Sequence, residues 1–488
     1  GMGMYASRYN TLTNFDFAPP DDPSVFEYAE EVTTLDNAYA QDETYWRNNR
    51  LEGLNGRQKG IYNMIDTLKQ VPAYKRFVYA AKVFSTGYFP AGLLDFGKAA
   101  SIYSYNETEG SRLRIGVETS HSLTQRWQLR SYLAYGTRDR KLKYNGSVKY
   151  SFNEDYRKNP RHYIYGSYQH DVIFPGLQLD FIDDTNVLTS FRRGEANQML
   201  FIDAFNLEYF KEINTGFFKL GMERRIRQAY GSLEFYKELD GSRVDVNNVT
   251  TTELSFAMEY SPNTAYIQSR EKRTPIKSSH PRYQLSYRSG LRTLDGEYNY
   301  HKLSFQIKKR VPLSVLGRTD LQFEAGRIFG ENLPFVILYI PQSNQAYSFQ
   351  PTSFNTMNFI EFVTDKYVRL NFQHFFDGYI INRIPILKHF KLKEAITFKG
   401  IWGGIDEAND PRLNGNIIQF NENAMGQLTT TALDPAIPYI EYGFGVYNIF
   451  RFFRIDMVKR HNYLERPNFE SVFGVKGLGI RARLKVEF

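Results

Sequence analysis

The residues of this chain that could carry out chemistry do not form a pattern typical of an enzyme or a metal site. There is no H-E-x-x-H pair, and no histidine cluster with acidic neighbours at metal-ligand spacing. The eight histidines are His121, His162, His170, His280, His301, His374, His389 and His461. His170 lies beside Asp171, but adjacent residues of a strand point to opposite faces. We therefore predict no metal, no cofactor and no catalytic residue.

Two enzyme signatures can also be weighed from the sequence. The G-x-S-x-G elbow of common serine hydrolases is missing, although separate strands could still assemble Ser, His and an acid. "GLGIRA" at 477–482 matches the dinucleotide fingerprint, but it continues an alternating strand and opens no helix. Its glycines are better interpreted as positions that ease curvature. We predict that the protein is not an enzyme, with a barrel-embedded hydrolase as a remote alternative.

Charged residues on the polar faces of predicted strands are the best functional candidates. The basic ones, on segments expected to meet where the last strand pairs with an early one, are Arg112, Arg114, Arg130, Arg481, Arg483 and Lys485. Such a basic wall could attract anionic solutes to a lumen. The alternative is a salt-bridge network that fills a narrow lumen, with the acidic candidates Glu118, Glu253, Glu259, Glu441 and Asp456. We favour the network over a selective pore.

These charges must be positioned by segments in which apolar and polar residues alternate. "RLRIGVET", "ELSFAMEY", "KLSFQIKK" and "YIEYGFGVY" each predict a strand with one apolar side. About sixteen such segments, in a range of roughly 14 to 18, can be counted by this period-two pattern. They begin near residues 84, 111, 126, 142, 161, 198, 214, 250, 299, 318, 357, 367, 393, 437, 451 and 472. Alternation is irregular between 327 and 391, where one strand is expected to be missed or misplaced.

The aromatic content favours a membrane barrel over a soluble sandwich. Aromatic residues make up 16% of the chain although the mean hydropathy is polar, at -0.49. Aromatics near segment ends suit headgroup depth, and they include Trp127, Tyr135, Tyr144, Tyr150, Phe152, Tyr209, Tyr260, Phe398 and Trp402. Inward charges and glycines fit a barrel lumen. We predict the all-β class: a transmembrane antiparallel β-barrel of about 16 strands, with a soluble β-rich binding protein as the residual case.

The chain divides by pattern into an N-terminal segment and the barrel. Residues 1–83 predict a periplasmic or plug segment, irregular apart from one helix with Ile61, Met64, Ile65 and Leu68 on one face. Residues 84–488 predict the barrel. No apolar run reaches the roughly 18 residues of a spanning helix, the best being "LPFVILYI" at 333–340. No signal peptide is visible, and we expect the natural N-terminus to lie upstream.

The C-terminus has the pattern of an assembly signal. The last twelve residues, "GLGIRARLKVEF", alternate without interruption and end on an aromatic residue. A terminal amphipathic strand of this kind is favoured by the assembly machinery of Gram-negative outer membranes. We predict that Leu484, Val486 and Phe488 form this signal. An ordinary amphipathic strand at a soluble C-terminus is the alternative.

Several stretches resemble an uncharacterised family of Gram-negative outer-membrane barrels. They include "STGYFPAGLLDFG", "LAYGTRDRKLKYNGSVKYSF" and "RFFRIDMVKRHNYLERPN", and the likeness covers most of residues 40–488. Members contain a domain of unknown function usually fused to a carboxypeptidase-regulatory-like domain, which is non-catalytic and which we do not expect within these 488 residues. The resemblance implies an outer-membrane location and a barrel architecture. It implies no activity and no site residues.

These patterns predict an integral outer-membrane barrel with a polar, charged lumen and a channel, transport or scaffold role. An accessory role in outer-membrane protein assembly or secretion is the main alternative. The expected partners are outer-membrane lipid, the barrel assembly machinery during biogenesis, and periplasmic or outer-membrane proteins. Nucleic acid is not expected as a partner, because the 61 basic residues are interleaved with 53 acidic ones.

Overall fold

The computed structural model describes residues 41–49, 53–177, 190–194, 197–262, 265–268, 273–277, 280–423, 425–467 and 470–484 of the 488-residue chain. Its α-helices are α1 (Glu43–Asn49), α2 (Gly56–Gln70), α3 (Pro72–Thr86) and α4 (Pro385–Lys388). The helix predicted from an apolar face is confirmed as α2, which begins with a capping box at Asn55. The prediction of a single helix in the N-terminal segment is wrong, because α1 and most of α3 lie there as well. No helix in the described ranges is long and apolar enough to cross a bilayer.

Strands make up most of the regular structure. They are β1 (Tyr88–Ala91), β2 (Leu94–Gly97), β3 (Tyr103–Asn106), β4 (Gly110–Thr119), β5 (Trp127–Gly136), β6 (Leu142–Ser151), β7 (His162–Ile173), β8 (Gln198–Ile213), β9 (Gly216–Gly231), β10 (Tyr236–Leu239), β11 (Ser242–Asp245), β12 (Val249–Tyr260), β13 (Ala265–Gln268), β14 (Arg273–Lys277), β15 (Arg282–Leu291), β16 (Tyr300–Pro312), β17 (Arg318–Phe329), β18 (Phe362–Val363), β19 (Lys366–Phe375), β20 (Lys393–Gly404), β21 (Thr431–Ala432), β22 (Tyr439–Ile449), β23 (Phe453–Arg460), β24 (Ser471–Val472), β25 (Val475–Lys476) and β26 (Leu478–Leu484).

One antiparallel sheet forms the wall of the molecule. Among the described residues it contains 18 strand segments. From β4 onward the pairing follows chain order through β5, β6, β7, β8, β9, β12, β15, β16, β17, β19, β20, β22, β23 and β26. Both β2 and β3 pair with the edge of β4 that β5 leaves open, so they form one interrupted strand. Without the short β1, the wall has 16 strand positions.

The two faces of this wall have opposite chemistry. On β4, Ile115 is 74% exposed, whereas Arg114 is 8% and Arg112 1% exposed. The same inversion recurs around the sheet, where exposed apolar residues include Leu133, Leu207, Leu220, Leu254, Leu303, Val368 and Phe444. Apolar side chains therefore cover the outside and charged side chains lie inside. This confirms the predicted fold class, an antiparallel β-barrel with a short N-terminal helical segment.

Three strand positions differ from the sequence prediction. A strand is predicted to begin near residue 84, but this residue lies in α3, and the wall begins with β2. The strand predicted near residue 357 is not part of the wall, since this residue lies inside the barrel and is 1% exposed. Strand β15 falls in a stretch where the sequence analysis assigns no strand. The predicted strand near residue 357 is absent from the wall, and the unpredicted strand β15 is present in it. These two errors cancel, so the predicted number of strands is unchanged.

The connections distinguish the two ends of the barrel. Residues 214–215, 313–317 and 450–452 connect strands at one end, which we call the short-turn end; the longer connection 376–392 lies at this end as well. The long connections 330–365 and 405–438 leave from the opposite end, the long-loop end. Barrels of outer-membrane type place short turns in the periplasm and long loops outside the cell.

Residues 330–365, which we call the inner segment, fold back into the barrel. Its most apolar part is the "LPFVILYI" run, in which Leu333 and Phe335 are fully buried. The Phe335 ring lies 6.3 Å from that of Phe235 and 5.9 Å from that of Phe420, which come from two other long-loop-end connections. These connections therefore form an apolar core inside the polar wall. The inner segment fills part of the lumen.

The inner segment also contacts the free edge of the last strand. The Ala482 amide donates to the Tyr347 carbonyl, and the Phe349 amide donates to the Ala482 carbonyl, each at 2.9 Å. Direct backbone pairing of β26 with β2 or β3, as the sequence analysis expects of the last strand, is not seen among the described residues. The predicted terminal signal residues Val486 and Phe488, together with Lys485, lie outside them.

A second connection completes the contacts between the last and the first strands. The Arg193 amide donates to the Gln345 carbonyl at 2.9 Å. On the other side of the gap, the Tyr105 amide of β3 donates to Ser190 Oγ at 2.7 Å. Parts of two connections therefore lie between the first and last strands, in a region we call the seam.

Candidate functional site: the charged lumen

The first group of candidate residues forms a buried ionic cluster on β4–β7. Arg112 donates to both carboxylate oxygens of Asp171 at 2.7 Å, and to Glu109 at 2.9 Å. Lys143 lies 2.7 Å from Glu109 and 2.5 Å from Asp139. A buried charge is costly unless it is paired and hydrogen-bonded. Each charge of this cluster has such a partner, which is typical of a structural network.

Two further candidates extend the lining of β4. The Arg114 guanidinium lies 3.7 Å from the centre of the Tyr132 ring, a cation–π contact. Glu118 accepts hydrogen bonds from Arg130 at 3.0 and 3.2 Å, and from Gln128 at 2.7 Å. Arg130 is therefore paired with an acidic residue of its neighbouring strand.

Strand β12 places Glu253 in a separate cluster. Its carboxylate accepts hydrogen bonds from Tyr300 Oη at 2.5 Å, and from Lys302 and Arg288 at 3.0 Å. Glu259 lies six residues farther along the same strand, half-buried and on the same face. A cavity of about 280 Å³ lies next to this cluster, so part of the lumen is open to water.

Glu441 on β22 binds the backbone of the inner segment. Its carboxylate accepts from the amides of Asn355 and Thr356, at 2.8 and 2.7 Å. It also accepts from Thr356 Oγ1 at 2.6 Å and from Tyr439 Oη at 2.8 Å. Glu441 is 1% exposed. Four donors therefore satisfy this buried carboxylate, and two of them are backbone amides.

Two basic residues, on β26 and on β20, bind the same stretch of the inner segment. Arg481 donates to the Asn355 carbonyl at 2.6 and 3.1 Å and to Glu470 at 3.0 Å. Lys399 on β20 donates to the carbonyls of Gln350 and Ser353, at 2.8 and 2.5 Å. Wall cations thus bind backbone carbonyls where Glu441 binds backbone amides.

Strands β19 and β23 add further anchors to the inner segment. Asn371 and Gln373 both donate to the Pro351 carbonyl, at 2.7 and 3.1 Å. Arg460 donates to Glu361 at 2.6 and 3.2 Å, and both side chains are buried. Five successive wall strands, β19, β20, β22, β23 and β26, therefore hold the inner segment. We call this part of the barrel the anchoring wall.

The remaining candidates lie close to the anchoring wall. Asp456 pairs with Arg454 through two hydrogen bonds of 2.7 Å, and both are buried. Arg483 is half-buried and lies nearer the short-turn end. The basic candidates are thus divided between two regions of the lumen, β4–β5 and β26, and the structure does not bring them into one basic wall.

Several residues that complete these networks are not among the candidates predicted from the sequence. Asp171 and Lys143 complete the first cluster, and Lys399 and Arg460 complete the anchoring wall. Each of them occupies an inward position of an alternating strand, so the period-two pattern could have marked them as inward. Their partners were not predictable, because they lie on distant strands or on the inner segment.

Several ionisable groups outside the strands have shifted pKa values, among them Asp139, Arg193 and Asp365. Burial alone would raise the pKa of Asp139, but hydrogen bonds from Lys143 and Tyr230 outweigh it and hold that pKa below its ordinary value. Burial, aided by the nearby Arg481, lowers the pKa of Arg193 to about 10. Burial raises the pKa of Asp365. Asp139 is therefore ionised and engaged at neutral pH.

The polar side chains of this lumen mainly bind one another and the inner segment. Among the residues described above, no group of three or more His, Asp or Glu side chains could hold a metal ion. The carboxylate of Glu441 is occupied by amide and hydroxyl donors, and those of Asp171 and Glu361 by arginines. The arrangement therefore fixes the path of a polypeptide segment inside a barrel.

Comparisons with known proteins give one family and a distant structural likeness. Residues 91–403 match the model of a family of unknown function, the DUF5686 C-terminal domain. Comparison with curated proteins gives no match. Among solved structures, the fold is similar to BamA from Haemophilus ducreyi lacking POTRA domains 1–3, with a TM-score of 0.46 and 9% identity. That similarity covers 80% of this chain and 70% of the BamA chain.

Proposed function

Since this chain belongs to the DUF5686 family, whose function is unknown, we propose a function from its geometry: an integral outer-membrane β-barrel that acts as a gated channel. In this proposal the inner segment is the gate, and the anchoring wall holds it closed. The observation that carries the proposal is the inversion of the wall, with apolar side chains outside and buried ion pairs inside.

The outer face supports a lipid environment. Exposed leucine, isoleucine and phenylalanine side chains occur on most strands of the sheet. Monomeric soluble proteins rarely expose contiguous apolar patches above a few hundred Å². Acyl chains would remove this surface from water at about 25 cal/mol per Å². Outer-membrane lipid is then the solvent of the barrel, and the barrel assembly machinery is its partner during biogenesis.

The lumen supports a closed resting state. The inner segment is fixed by Glu441, Arg481 and Lys399 through its own backbone groups. Leaving a buried charge without its partner costs on the order of 3–5 kcal/mol. Spontaneous release of the inner segment is therefore rare. Opening requires a ligand or a periplasmic or outer-membrane protein that replaces these contacts.

Two measurements on the full chain in detergent test the proposal in turn. Heat-modifiable mobility on gels, with unboiled protein migrating apart from boiled protein, is expected of a folded membrane barrel. Planar-bilayer conductance should then be low for the wild type and should rise when the anchoring contacts are removed. A barrel that folds but stays closed in every anchoring variant would favour a scaffold role over a channel. A chain that folds without detergent would contradict the membrane location.

A second candidate function, an accessory role in assembly or secretion, has the seam in its favour. Two backbone hydrogen bonds join Ala482 of β26 to the inner segment, whereas the other edge of β26 pairs with β23 from Leu478 to Leu484. A wall with such a contact can separate there at low cost. Affinity purification from the native membrane that returns no assembly or secretion component would count against this role.

A further inference from the structure

A cavity of about 370 Å³ lies between the short-turn end and the inner segment. We call it the vestibule. Its roof is formed by Pro351 and Thr352 of the inner segment. Its walls are the short-turn ends of β15, β16, β17, β19, β23 and β26. Cavities of about 300–1,000 Å³ are typical of small-molecule sites.

Basic side chains dominate the lining of the vestibule. Six of them occupy inward or mouth positions of the wall strands: Arg282, Lys308, Arg310, Arg318, Arg454 and Arg483. The one acidic residue among the described lining residues is Asp320, and Arg310 occupies both of its carboxylate oxygens at 2.6 and 2.8 Å. Just outside the lining, Asp377 and Asp456 pair with Arg318 and Arg454. Basic groups still outnumber acidic ones.

The strand register places like charges directly opposite each other. Arg282 is the cross-strand partner of Lys308, and Arg454 is the cross-strand partner of Arg483. Like charges at directly opposed positions destabilise a sheet. Two such like-charge pairs lie around one cavity. An anion bound between the cations of these pairs would attract both and offset their mutual repulsion.

We propose that the vestibule binds a small solute that carries more than one anionic group, such as a diphosphate. Arginine forks match phosphate geometry, and clustered cations in a low-dielectric cleft raise the local concentration of anions. Because Asn371 and Gln373 bind the Pro351 carbonyl in the roof, a ligand here also contacts the closed gate. This anion site rests on the proposed function, because it requires that the short-turn end opens to the periplasm and that the solute enters from there.

Calorimetric titration of inorganic pyrophosphate into the full chain in detergent tests this site. Wild-type protein should bind with a saturable heat that weakens with salt, as charge-dominated binding does. The variant Arg282→Gln/Lys308→Gln should bind at least about tenfold more weakly, a loss of about 1.4 kcal/mol. Lys211→Gln on β8 is the matched control, since Lys211 is exposed, period two turns its side chain to the outer face, and it does not line the vestibule. Its affinity should be unchanged.

Thermal unfolding with and without pyrophosphate gives an independent readout. Pyrophosphate should raise the unfolding temperature of the wild type, because a ligand that binds the folded state stabilises it, and it should raise that of the Arg282→Gln/Lys308→Gln variant by less. Equal shifts of the unfolding temperature in wild type and variant would overturn the proposal. So would equal binding of pyrophosphate by wild type and variant, or no binding by protein whose heat-modifiable mobility shows that it is folded.

Two further outcomes separate the sources of the anion and the two proposals. If pyrophosphate does not bind but phosphatidylglycerol added to the micelles does, the site binds a lipid headgroup. That result would contradict the proposal of a soluble ligand. Pyrophosphate binding by a barrel that conducts no ions in any variant would support the vestibule while contradicting the gated channel.

Discussion

Glu441 on the barrel wall and Thr356 on the inner segment are joined by two hydrogen bonds, from the Thr356 amide at 2.7 Å and from its hydroxyl at 2.6 Å. Both residues are buried. A carboxylate that accepts from a backbone amide fixes the path of the main chain. This contact therefore decides where the inner segment runs, and it is the most direct link between the wall and the proposed gate.

Removing the charge of Glu441 should loosen the inner segment. In Glu441→Gln an NH₂ group replaces one of the two oxygens that accept from the amides of Asn355 and Thr356. One backbone donor then loses its acceptor, and a buried donor left unsatisfied costs about 1–3 kcal/mol. Limited proteolysis of the folded protein should then cut within residues 342–358, and bilayer conductance should rise. Glu259→Gln is the matched control, because Glu259 also lies on an inward face but on β12, away from the anchoring wall. Equal protection of the two variants would count against the anchoring role.

The Arg112–Asp171 pair should matter for stability more than any surface pair. Both side chains are buried and share two hydrogen bonds of 2.7 Å. Asp171→Asn removes one of the two carboxylates that bind the buried Arg112 guanidinium and leaves Glu109 as the other, at a cost of about 3–5 kcal/mol. Asp320→Asn breaks the more exposed pair with Arg310. It should lower the free energy of unfolding by at most about 1 kcal/mol. The temperature at which heat-modifiable mobility is lost measures both changes.

A double variant isolates the pairing energy of that cluster. Arg112→Met with Asp171→Leu removes both charges and replaces them with apolar groups of similar size. It should be more stable than Asp171→Asn alone, because no uncompensated charge stays buried. A double variant that unfolds earlier than either single variant would show that the ion pair itself, and not its disruption, dominates the stability.

The turn residue Asp139 should give the folded barrel part of its acid sensitivity. Its pKa is lowered in the folded state by Lys143 and Tyr230 despite burial, so its contribution is present above the unfolded pKa of about 3.9. The contribution is lost as pH falls through the lower folded value. Asp139→Asn should therefore unfold at a lower temperature than wild type at pH 7, and the difference should shrink at acidic pH. A difference independent of pH would contradict this role.

Most wall strands could be predicted because apolar and polar side chains alternate along them. Ile115 points outward and Arg114 inward, and the same alternation repeats along most wall strands. The alternation rule failed at Met357, because the inner segment packs on several sides and its apolar residues do not reflect a single buried face. It also failed at β15, whose outward residues Tyr283 and Tyr287 are amphipathic and make a weak apolar signal.

The candidate site was less predictable than the wall. Alternation marks Arg112 and Glu441 as inward residues, but it contains no information about which group each one meets. Arg112 reaches β7, three strands away in the sheet order, and Glu441 binds a segment 85 residues earlier in the chain. These partners follow from the closure of the barrel and from the path of the inner segment, which depend on the whole fold.

The central claim is that the outward apolar side chains contact acyl chains. The chain contains no cysteine, so single cysteines can be placed at Ile115 on the outer face and at Asn206 beside the wet cavity. Each is labelled with an environment-sensitive fluorophore after reconstitution into vesicles containing brominated phospholipid. We predict strong quenching of the label at 115 and little at 206. Equal quenching at both positions, or bulk-water emission from the label at 115, would contradict the account.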